Sequence, residues 1–488
     1  MNKNLFNILS TFSESEWEEL GRFISSPYFV KKRNYDSIYS VLKKIYSSGK
    51  QEMQLTKKFL LKKLYKGKSP GLQTLHNRLS EFCKLTERFL SQKKFDNDKL
   101  QRIIYLLDEF YARRLPRNFK SKFNSQEKII YEDSYNAENF FQICQVILLE
   151  SGYLQSVREM NSAYREFNKH SQYMLAYFLD RLFYLAVDFY SLESSNVELD
   201  FNIVNRLMRS LNAGQFISEL EKQNFPIYTS VLIRYYLYKA VVDPDEKSYI
   251  KKVRKIFSAN KDNLNESFKT SFFLQLESYY VTLLNQGKYE YERELFLVYK
   301  EKLEQGIYKD LLKIYYPSQN FRDYVIVGLR VNEIQWVENF VNEYAPKLPE
   351  SIRKDEYTMG QARILIYKSE FRKALKLLQD HRSSNQVHII DISRSKMKIF
   401  FELGMYEEIF LEMDNLKHFL KKSKAQELLI DNTKDFLEKL SQLVKIATSP
   451  LKESAEALDD FIRRECVSTK GLSEKNWFLD KAKKLKII

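Results

Sequence analysis

Residues 368–374 read KSEFRKA and residues 402–408 read ELGMYEE, and the two stretches share one pattern. In each, an aromatic residue follows a small residue by two positions and opens a new helical segment. Phe371 and Tyr406 are 35 positions apart, and Trp336 lies another 35 positions upstream, near the start of another predicted helix. A fixed period of this length is typical of stacked helical hairpins. The pattern therefore predicts successive helix-turn-helix units along this part of the chain.

The amino-acid composition favours helices over the whole chain. Among 488 residues there are only 12 Gly and 9 Pro, but 35 Phe and 33 Tyr. Few Gly and Pro leave few of the tight turns that sheets need, while each aromatic side chain can bury about 150–250 Å² between helices. A chain of this length also exceeds one compact core. We therefore expect an all-α protein built from several domains or from one extended array.

The turn pattern resembles that of the tetratricopeptide family. In that family a small residue, an aromatic residue two positions later and an Ala three positions further mark each hairpin. Ser369, Phe371 and Ala374 match all three positions. Gly404 and Tyr406 match the first two, and an Ile replaces the Ala.

The resemblance covers about residues 332–422. It implies a curved stack of helical hairpins, an α-solenoid, whose concave surface binds peptides or protein segments. The aromatic residues lie just inside the second helix of each hairpin. We therefore expect them to contribute to hairpin packing rather than to a binding site. The residues assigned to hairpin packing are Trp336, Phe371, Ala374, Gly404 and Tyr406.

Three domains are predicted along the chain. Residues 1–122 form a basic helical N-terminal module, residues 123–330 form irregular helical hairpins, and residues 331–488 form tetratricopeptide-like hairpins with C-terminal capping helices. The polar and basic segment 115–122 marks the first boundary.

Cysteine usage and hydropathy bear on the compartment. Cys83, Cys144 and Cys466 are too few and too widely spaced for a disulfide framework or a zinc site. No uncharged apolar stretch approaches the ~20 residues of a membrane span, and the first residues lack the uninterrupted apolar run of a signal peptide. Richness in Lys, Asn, Ile, Tyr and Phe is associated with AT-rich bacterial genomes. These features predict a cytoplasmic bacterial protein.

The sequence contains no pattern typical of an active site. A Gly-rich phosphate loop and a nucleophile elbow are both missing, and the histidines lack the spacing of metal ligands. We expect surface histidines, and no catalytic, cofactor-binding or metal site. The five histidines are His76, His170, His381, His388 and His418.

One acidic stretch, DPDEK at residues 243–247, is similar to acidic nuclease motifs. Contiguous acids at the start of a helix point in different directions around its axis and do not converge on a metal ion. We instead expect Asp243 to cap a helix whose first residue is Pro244.

Positive charge is concentrated in one fifth of the chain. The net charge is +15, and residues 31–128 hold 25 Lys and Arg against 9 Asp and Glu. The residues from 129 onward hold 52 against 51 and are nearly neutral. Such asymmetry indicates an anionic partner, either nucleic acid, an acidic protein or a membrane surface. The alternative is a charged helix face that is only solvated.

Within the basic module, a short helix over 55–65 precedes a turn and a long helix that starts near Gly71. This arrangement resembles the helix-turn-helix of winged-helix activator domains, which precede tetratricopeptide arrays in some bacterial regulators. The wing is missing, because a second helix follows after one short polar break at 91–98. The resemblance implies that Leu72, Leu75, Leu79 and Phe82 pack inward.

On the outward side, Gln, Asn and Arg are the side chains that read base edges, and Lys contacts phosphates. The candidate contacts to nucleic acid or to an acidic partner are Lys57, Lys58, Lys62, Lys63, Gln73, Asn77, Arg78, Lys84 and Arg88.

Together these patterns predict a non-enzymatic interaction or scaffold protein that binds partner proteins through an extended helical-repeat surface. The alternative is a DNA-binding regulator that uses the basic module on DNA.

Overall fold

The computed structural model describes residues 3–30, 33–47, 57–65, 71–131, 136–194, 202–211, 213–223, 225–307, 318–423, 427–449, 451–467 and 472–487. Within these ranges the chain forms helices joined by turns and loops, without a strand. The all-α prediction is thereby confirmed for the described residues.

The chain divides into two compact units, and the long helix Met160–Ser194 contributes to both. Unit 1 comprises residues 1–132 and 139–174, and unit 2 comprises residues 133–138 and 175–488. The division into three domains stays a prediction, and residues 116–122 of the predicted boundary segment lie within a helix of unit 1.

The first nine helices are α1 (Lys3–Leu9), α2 (Glu14–Ser25), α3 (Asp36–Ser47), α4 (Lys57–Leu64), α5 (Leu72–Asn97), α6 (Lys99–Ala112), α7 (Pro116–Tyr131), α8 (Ala137–Ser156) and α9 (Met160–Ser194).

The helices of unit 2 that follow are α10 (Ile203–Ser210), α11 (Ala213–Gln223), α12 (Thr229–Val242), α13 (Lys247–Asn260), α14 (Glu266–Asn285), α15 (Glu292–Glu304), α16 (Ser318–Arg330), α17 (Ile334–Tyr344), α18 (Glu350–Tyr367), α19 (Phe371–Asp380), α20 (Gln386–Glu402), α21 (Tyr406–Lys422), α22 (Glu427–Thr448), α23 (Leu451–Val467) and α24 (Leu472–Ile487). Three 3-10 turns lie at Pro226–Tyr228, Tyr289–Tyr291 and Ala345–Lys347.

Helix α2 shows how local sequence sets a helix start. The Ser13 hydroxyl accepts a hydrogen bond from the Glu16 backbone N–H at 3.2 Å, and the Ser13 N–H donates to the Glu16 carboxylate at 2.9 Å. This reciprocal capping box satisfies two N–H groups that the first helical turn leaves without partners. Trp17 and Leu20, on the inner face of the same helix, are buried in a core shared by α1–α5.

The turns at 369 and 404 have a common backbone geometry. Ser369 and Gly404 hold positive φ angles of 60° and 72°. After Ser369, the Glu370 N–H donates back to the Leu365 carbonyl at 2.9 Å, and the Gly404 turn repeats this six-residue hydrogen bond. This is the Schellman ending of a helix, in which one left-handed residue reverses the chain. The small residue of the sequence pattern is therefore the left-handed residue of the turn.

The same ending occurs after α14, α15 and α16, with Gly287, Gly306 and Asn332 at the left-handed position. Trp336 is the third residue of the helix that follows Asn332, whereas Phe371 is the first residue of the helix that follows Ser369. The spacing of 35 between the two aromatics therefore does not join equivalent positions.

The residues assigned to hairpin packing differ in burial. Ala374 is fully buried between α18, α19 and α20, and Phe371 and Tyr406 are half-buried against neighbouring cores. The Trp336 ring is also half-buried, and its centroid lies 4.9 Å from that of Phe296 and 5.1 Å from that of Phe340.

Two local predictions are wrong. Asp243 does not open a helix, because it follows α12, and Glu246 caps α13 with its carboxylate on the Ser248 N–H at 3.0 Å. Leu72 is exposed, because it opens α5 one turn beyond the core that buries Leu75. The other two residues predicted to face inward, Leu79 and Phe82, are buried.

Candidate functional site

Alternate helices of the C-terminal half line one groove. Helices α16, α18, α20, α22 and α24 each turn one side towards a cavity of about 540 Å³. On each of the first four helices the lining residues recur at helical spacing, for example Asp391, Arg394, Ser395 and Lys398 on α20. Such spacing places the side chains on one face of a helix. We call this cavity the hairpin groove.

The hairpin groove is rich in positive charge. Six cations and three carboxylates line it, a formal excess of three positive charges, although the chain from residue 129 onward is nearly neutral. The cations are Arg322, Arg330, Arg363, Arg394, Lys398 and Lys439, and the carboxylates are Asp323, Asp391 and Asp435.

The carboxylates of the groove lie beside its cations. The Asp391 carboxylate is 3.7 Å from both the Arg322 and the Arg363 guanidinium, and the Asp435 carboxylate is 3.0 Å from the Lys439 ammonium. Burial lowers the pKa of Arg363, while Asp391 opposes that shift. An arginine stays charged in proteins, so the groove keeps its cation.

Aromatic rings form part of the groove wall and lie against the same cations. The Arg394 guanidinium is 4.8 Å and the Lys398 ammonium 5.7 Å from the centroid of the Phe436 ring. Lys398 is also 5.7 Å from the Trp477 ring. Cation–π attraction therefore favours keeping these two cations at the wall. The groove offers both positive charge and aromatic surface to a ligand.

Buried groups hold the Arg322 guanidinium in position. Its Nε donates to the Glu356 carboxylate at 2.6 Å, and its Nη2 is 2.9 Å from Nε2 of His388. Glu356 and His388 are each only 1% exposed. Because a buried charge is costly without a partner, this arrangement holds the guanidinium in one place.

The two histidines of this region are not on the surface, so the prediction of surface histidines is wrong for these two, whereas His76 and His418 are exposed. His388 is buried in α20, and His381 is buried with its Nε2 at 2.7 Å from the Asp355 carboxylate. The Ser383 hydroxyl donates to the other oxygen of Asp355 at 2.7 Å. The two histidines thus meet at one carboxylate pair, since Asp355 and Glu356 are neighbours in α18.

Comparison with known proteins adds no further constraint. No family model, curated protein or solved structure matches this chain. Among the residues that the structure describes, no three His, Cys, Asp or Glu side chains are grouped as metal ligands. None of the described helices combines the length and the apolar character that crossing a bilayer requires.

The predicted contacts of the basic module lie on two helices of unit 1. Lys62 and Lys63 are exposed on α4, whereas the side chains of Lys57 and Lys58 lie outside the described residues. On α5, Gln73 and Asn77 are exposed and hydrogen-bonded to each other at 3.0 Å. Lys84 is exposed one and a half turns of helix beyond Arg78.

The two arginines of this set contact the loop between α2 and α3. Arg78 is half-buried, donates from Nη2 to the Asn34 carbonyl at 2.9 Å, and lies 6.0 Å from the Tyr65 ring. The Arg88 guanidinium is 5.0 Å from the Phe29 ring. These contacts give both arginines a role within the module itself.

Sequence reasoning did not identify the groove. Its cations lie on helices whose total charge is balanced, so a count of charge along the chain cannot find them. The available signal was their spacing, because Arg394 and Lys398 share one helix face with Asp391, and Asp435 and Lys439 repeat that arrangement on α22.

Proposed function

We propose that this protein is a non-enzymatic interaction protein whose tetratricopeptide-like hairpins, stacked as an α-solenoid, bind an acidic protein segment in the hairpin groove. The observation that carries the proposal is the excess of cations in a groove lined by alternate helices. Arg322 is already held by a buried carboxylate, and Arg394 and Lys398 lie against aromatic rings. These cations lose little freedom when a ligand arrives, which favours binding.

The choice of an acidic protein segment follows from the groove's wall. Arginine and lysine attract carboxylates, and the Phe436 and Trp477 rings offer apolar surface to side chains between those carboxylates. A ligand that carried charge alone would leave that aromatic surface unused.

Site-specific photo-crosslinking in the source cell tests the proposal. A photoreactive residue in place of Ser395, inside the groove, should crosslink a defined protein, and the crosslinked segment should be rich in Asp and Glu. The matched control replaces Lys376, an exposed residue of α19 outside the groove. The same products from both positions, or a groove product with a basic or uncharged segment, would contradict the proposal.

A charge reversal measures the contribution of the groove. For the crosslinked segment made as a synthetic peptide, Lys398→Glu should weaken binding about tenfold or more, because it places a carboxylate beside the ligand's own. Lys376→Glu changes net charge equally and should leave Kd within about twofold. Equal losses for both variants would show a general charge effect instead.

The second candidate function is DNA binding by the basic module. It rests on the exposed pair Gln73 and Asn77 and on the exposed Lys84 of α5. If this face contacts phosphates, the affinity of the full-length protein for duplex DNA should fall steeply with salt, and Lys84→Ala should reduce that slope by about one. Absence of binding at about 50 mM salt would exclude this function.

A further inference from the structure

Two helix-helix turns of unit 1 line one hollow. The α6–α7 turn and the α8–α9 turn together enclose about 490 Å³, and the walls are mainly aromatic and aliphatic. The Phe119 and Tyr153 rings stack across it with centroids 4.8 Å apart. A second hollow of about 510 Å³ shares Pro116, Tyr153 and Val157 with the first. We call the two together the turn hollow.

Both turns place an arginine at the left-handed position of a Schellman ending. Arg114 has a φ of 53° and Arg158 a φ of 66°, and the following residue in each case donates back across six residues, from Leu115 to Phe110 and from Glu159 to Leu154. Gly occupies this position without strain, and three turns of unit 2 use it. Arg114 lines the hollow, and Arg158 is exposed directly after the lining residue Val157, so both strained positions place a cation at these turns.

The surroundings of the turn hollow are strongly basic. Residues 110–126 contain five Lys and Arg and no Asp or Glu. Arg114, Arg117 and Lys120 line the hollow and are exposed. The acids that flank this stretch in sequence are Glu109, which pairs with Arg113 at 2.7 Å, and Glu127, and in the other turn Glu159 follows Arg158.

Apolar side chains at the same turns are open to solvent. Tyr111, Leu115 and Val157 are 42%, 39% and 37% exposed. Tyr111 lies against α8, where a Cβ on Gly152 would come within 3.1 Å of its hydroxyl. Exposed apolar groups beside clustered arginines are the combination that suits an anionic membrane surface, where cations meet lipid headgroups and Tyr and Leu enter the interface.

We propose that the turn hollow and its arginines dock unit 1 on the surface of an anionic lipid bilayer. Nucleic acid fits less well, because its phosphates offer no apolar surface to the exposed side chains of Leu115 and Val157. The bilayer uses both features of the site, its charge and its apolar rim.

Vesicle flotation with the full-length protein tests this docking. Protein should float with phosphatidylcholine vesicles that contain phosphatidylserine and remain behind with phosphatidylcholine alone, and added salt should release it. The double variant Arg117→Glu and Lys120→Glu should lose most of the binding. The matched control, Arg372→Glu with Lys376→Glu, makes the same change in net charge on the exposed side of α19 in unit 2 and should keep most of it.

A second double variant separates docking from folding. Arg114→Gly with Arg158→Gly removes two cations and relieves two strained backbones, so the melting temperature should rise while vesicle binding falls at least several-fold. If both arginines served only the turns, the variant would bind vesicles as well as the native protein.

Three results would overturn the proposal. These are equal flotation with neutral and anionic vesicles, equal losses for the two charge-reversal variants, and displacement of the protein from vesicles by duplex DNA through the same residues. The last result would assign the surface to nucleic acid.

Discussion

The basic segment at residues 31–128 and the hairpin groove hold positive charge in different ways. The segment carries 25 Lys and Arg, several of them on exposed helix faces. The groove carries six cations, among which Arg322 pairs with the buried Glu356 and two others lie against aromatic rings. Arg322 of the groove is positioned by Glu356 and His388, while Lys62 and Lys84 of the segment extend into solvent.

The comparison shows that the number of charged side chains and the way they are held are separate properties. A mobile lysine attracts any polyanion at long range, and salt screens that attraction. A guanidinium fixed by a buried partner presents its N–H groups in one direction, so it can select a ligand by geometry. We therefore expect the smaller set of charges to be the more selective of the two.

Removing the buried carboxylate should have the largest effect. Glu356→Ala leaves Arg322 without its closest partner and should lower the free energy of unfolding by about 3–5 kcal/mol, measured by urea denaturation. The control Glu338→Ala breaks a half-exposed pair with Lys368 and should cost at most about 1 kcal/mol. Similar losses for the two variants would mean that burial does not distinguish the groove's charges.

Glu150 of unit 1 is a largely buried carboxylate that has a second carboxylate, Glu166, nearby. Burial, together with nearby Glu166, raises the pKa of Glu150 from 4.5 to about 7, and Lys169 only partly opposes this. The folded protein therefore binds more protons than the unfolded chain between these pH values, and stability falls as pH rises through that window.

Glu150→Gln should remove this pH dependence. At pH 8 the variant should be more stable than the native protein, on the order of 1–2 kcal/mol after allowance for the partial exposure of Glu150, and the difference should vanish below pH 4.5. Urea midpoints across the pH range measure it. A variant less stable at pH 8 would show that a cation holds Glu150 in its ionised form.

Arg78 tests whether any cation of the basic segment is organised like those of the groove. Arg78→Ala should cost about 1–1.5 kcal/mol, because it breaks the hydrogen bond to the Asn34 carbonyl and the contact with Tyr65. Lys84→Ala, on the same helix, should stay within about 0.5 kcal/mol. Thermal unfolding compares them. If Arg78→Ala leaves stability unchanged but weakens the protein's preference for particular DNA bases, Arg78 contacts base edges instead.

The smallest effect concerns the turn that places α20 beside α21. Gly404 has a positive φ and nothing within 4 Å of an added Cβ, so Gly404→Ala should cost about 1 kcal/mol through backbone strain alone. Gly214→Ala, inside α11 and with an ordinary φ, should be neutral or stabilising by a few tenths of a kcal/mol. Melting temperatures provide the measurement. Equal changes in melting temperature for the two variants would mean that the positive φ of Gly404 does not determine the cost of the substitution.

Much of the fold could be predicted from local patterns. Ser13 and Glu16 start a helix through contacts within four residues, and the residue types at 369 and 404 mark turns because the left-handed backbone restricts what fits there. Contacts between distant residues are a different matter. His388 is buried because Glu356, 32 residues away, and Arg322, 66 residues away, surround it, and nothing near His388 in sequence indicates this.

The candidate site could not be predicted from the sequence for the same reason. Five helices supply the groove, and each contributes only a few polar residues that look like any solvated face. Knowledge of which helices stand side by side is required before those faces add up to one surface.

The repeated Schellman ending has a consequence for how such a chain can diverge. The angle between consecutive helices is defined by one left-handed backbone residue and its six-residue hydrogen bond, which Ser, Asn, Gly and Arg all provide in this molecule. Substitutions among these residue types can therefore preserve the turn after the small residue that marks it in the sequence has been lost.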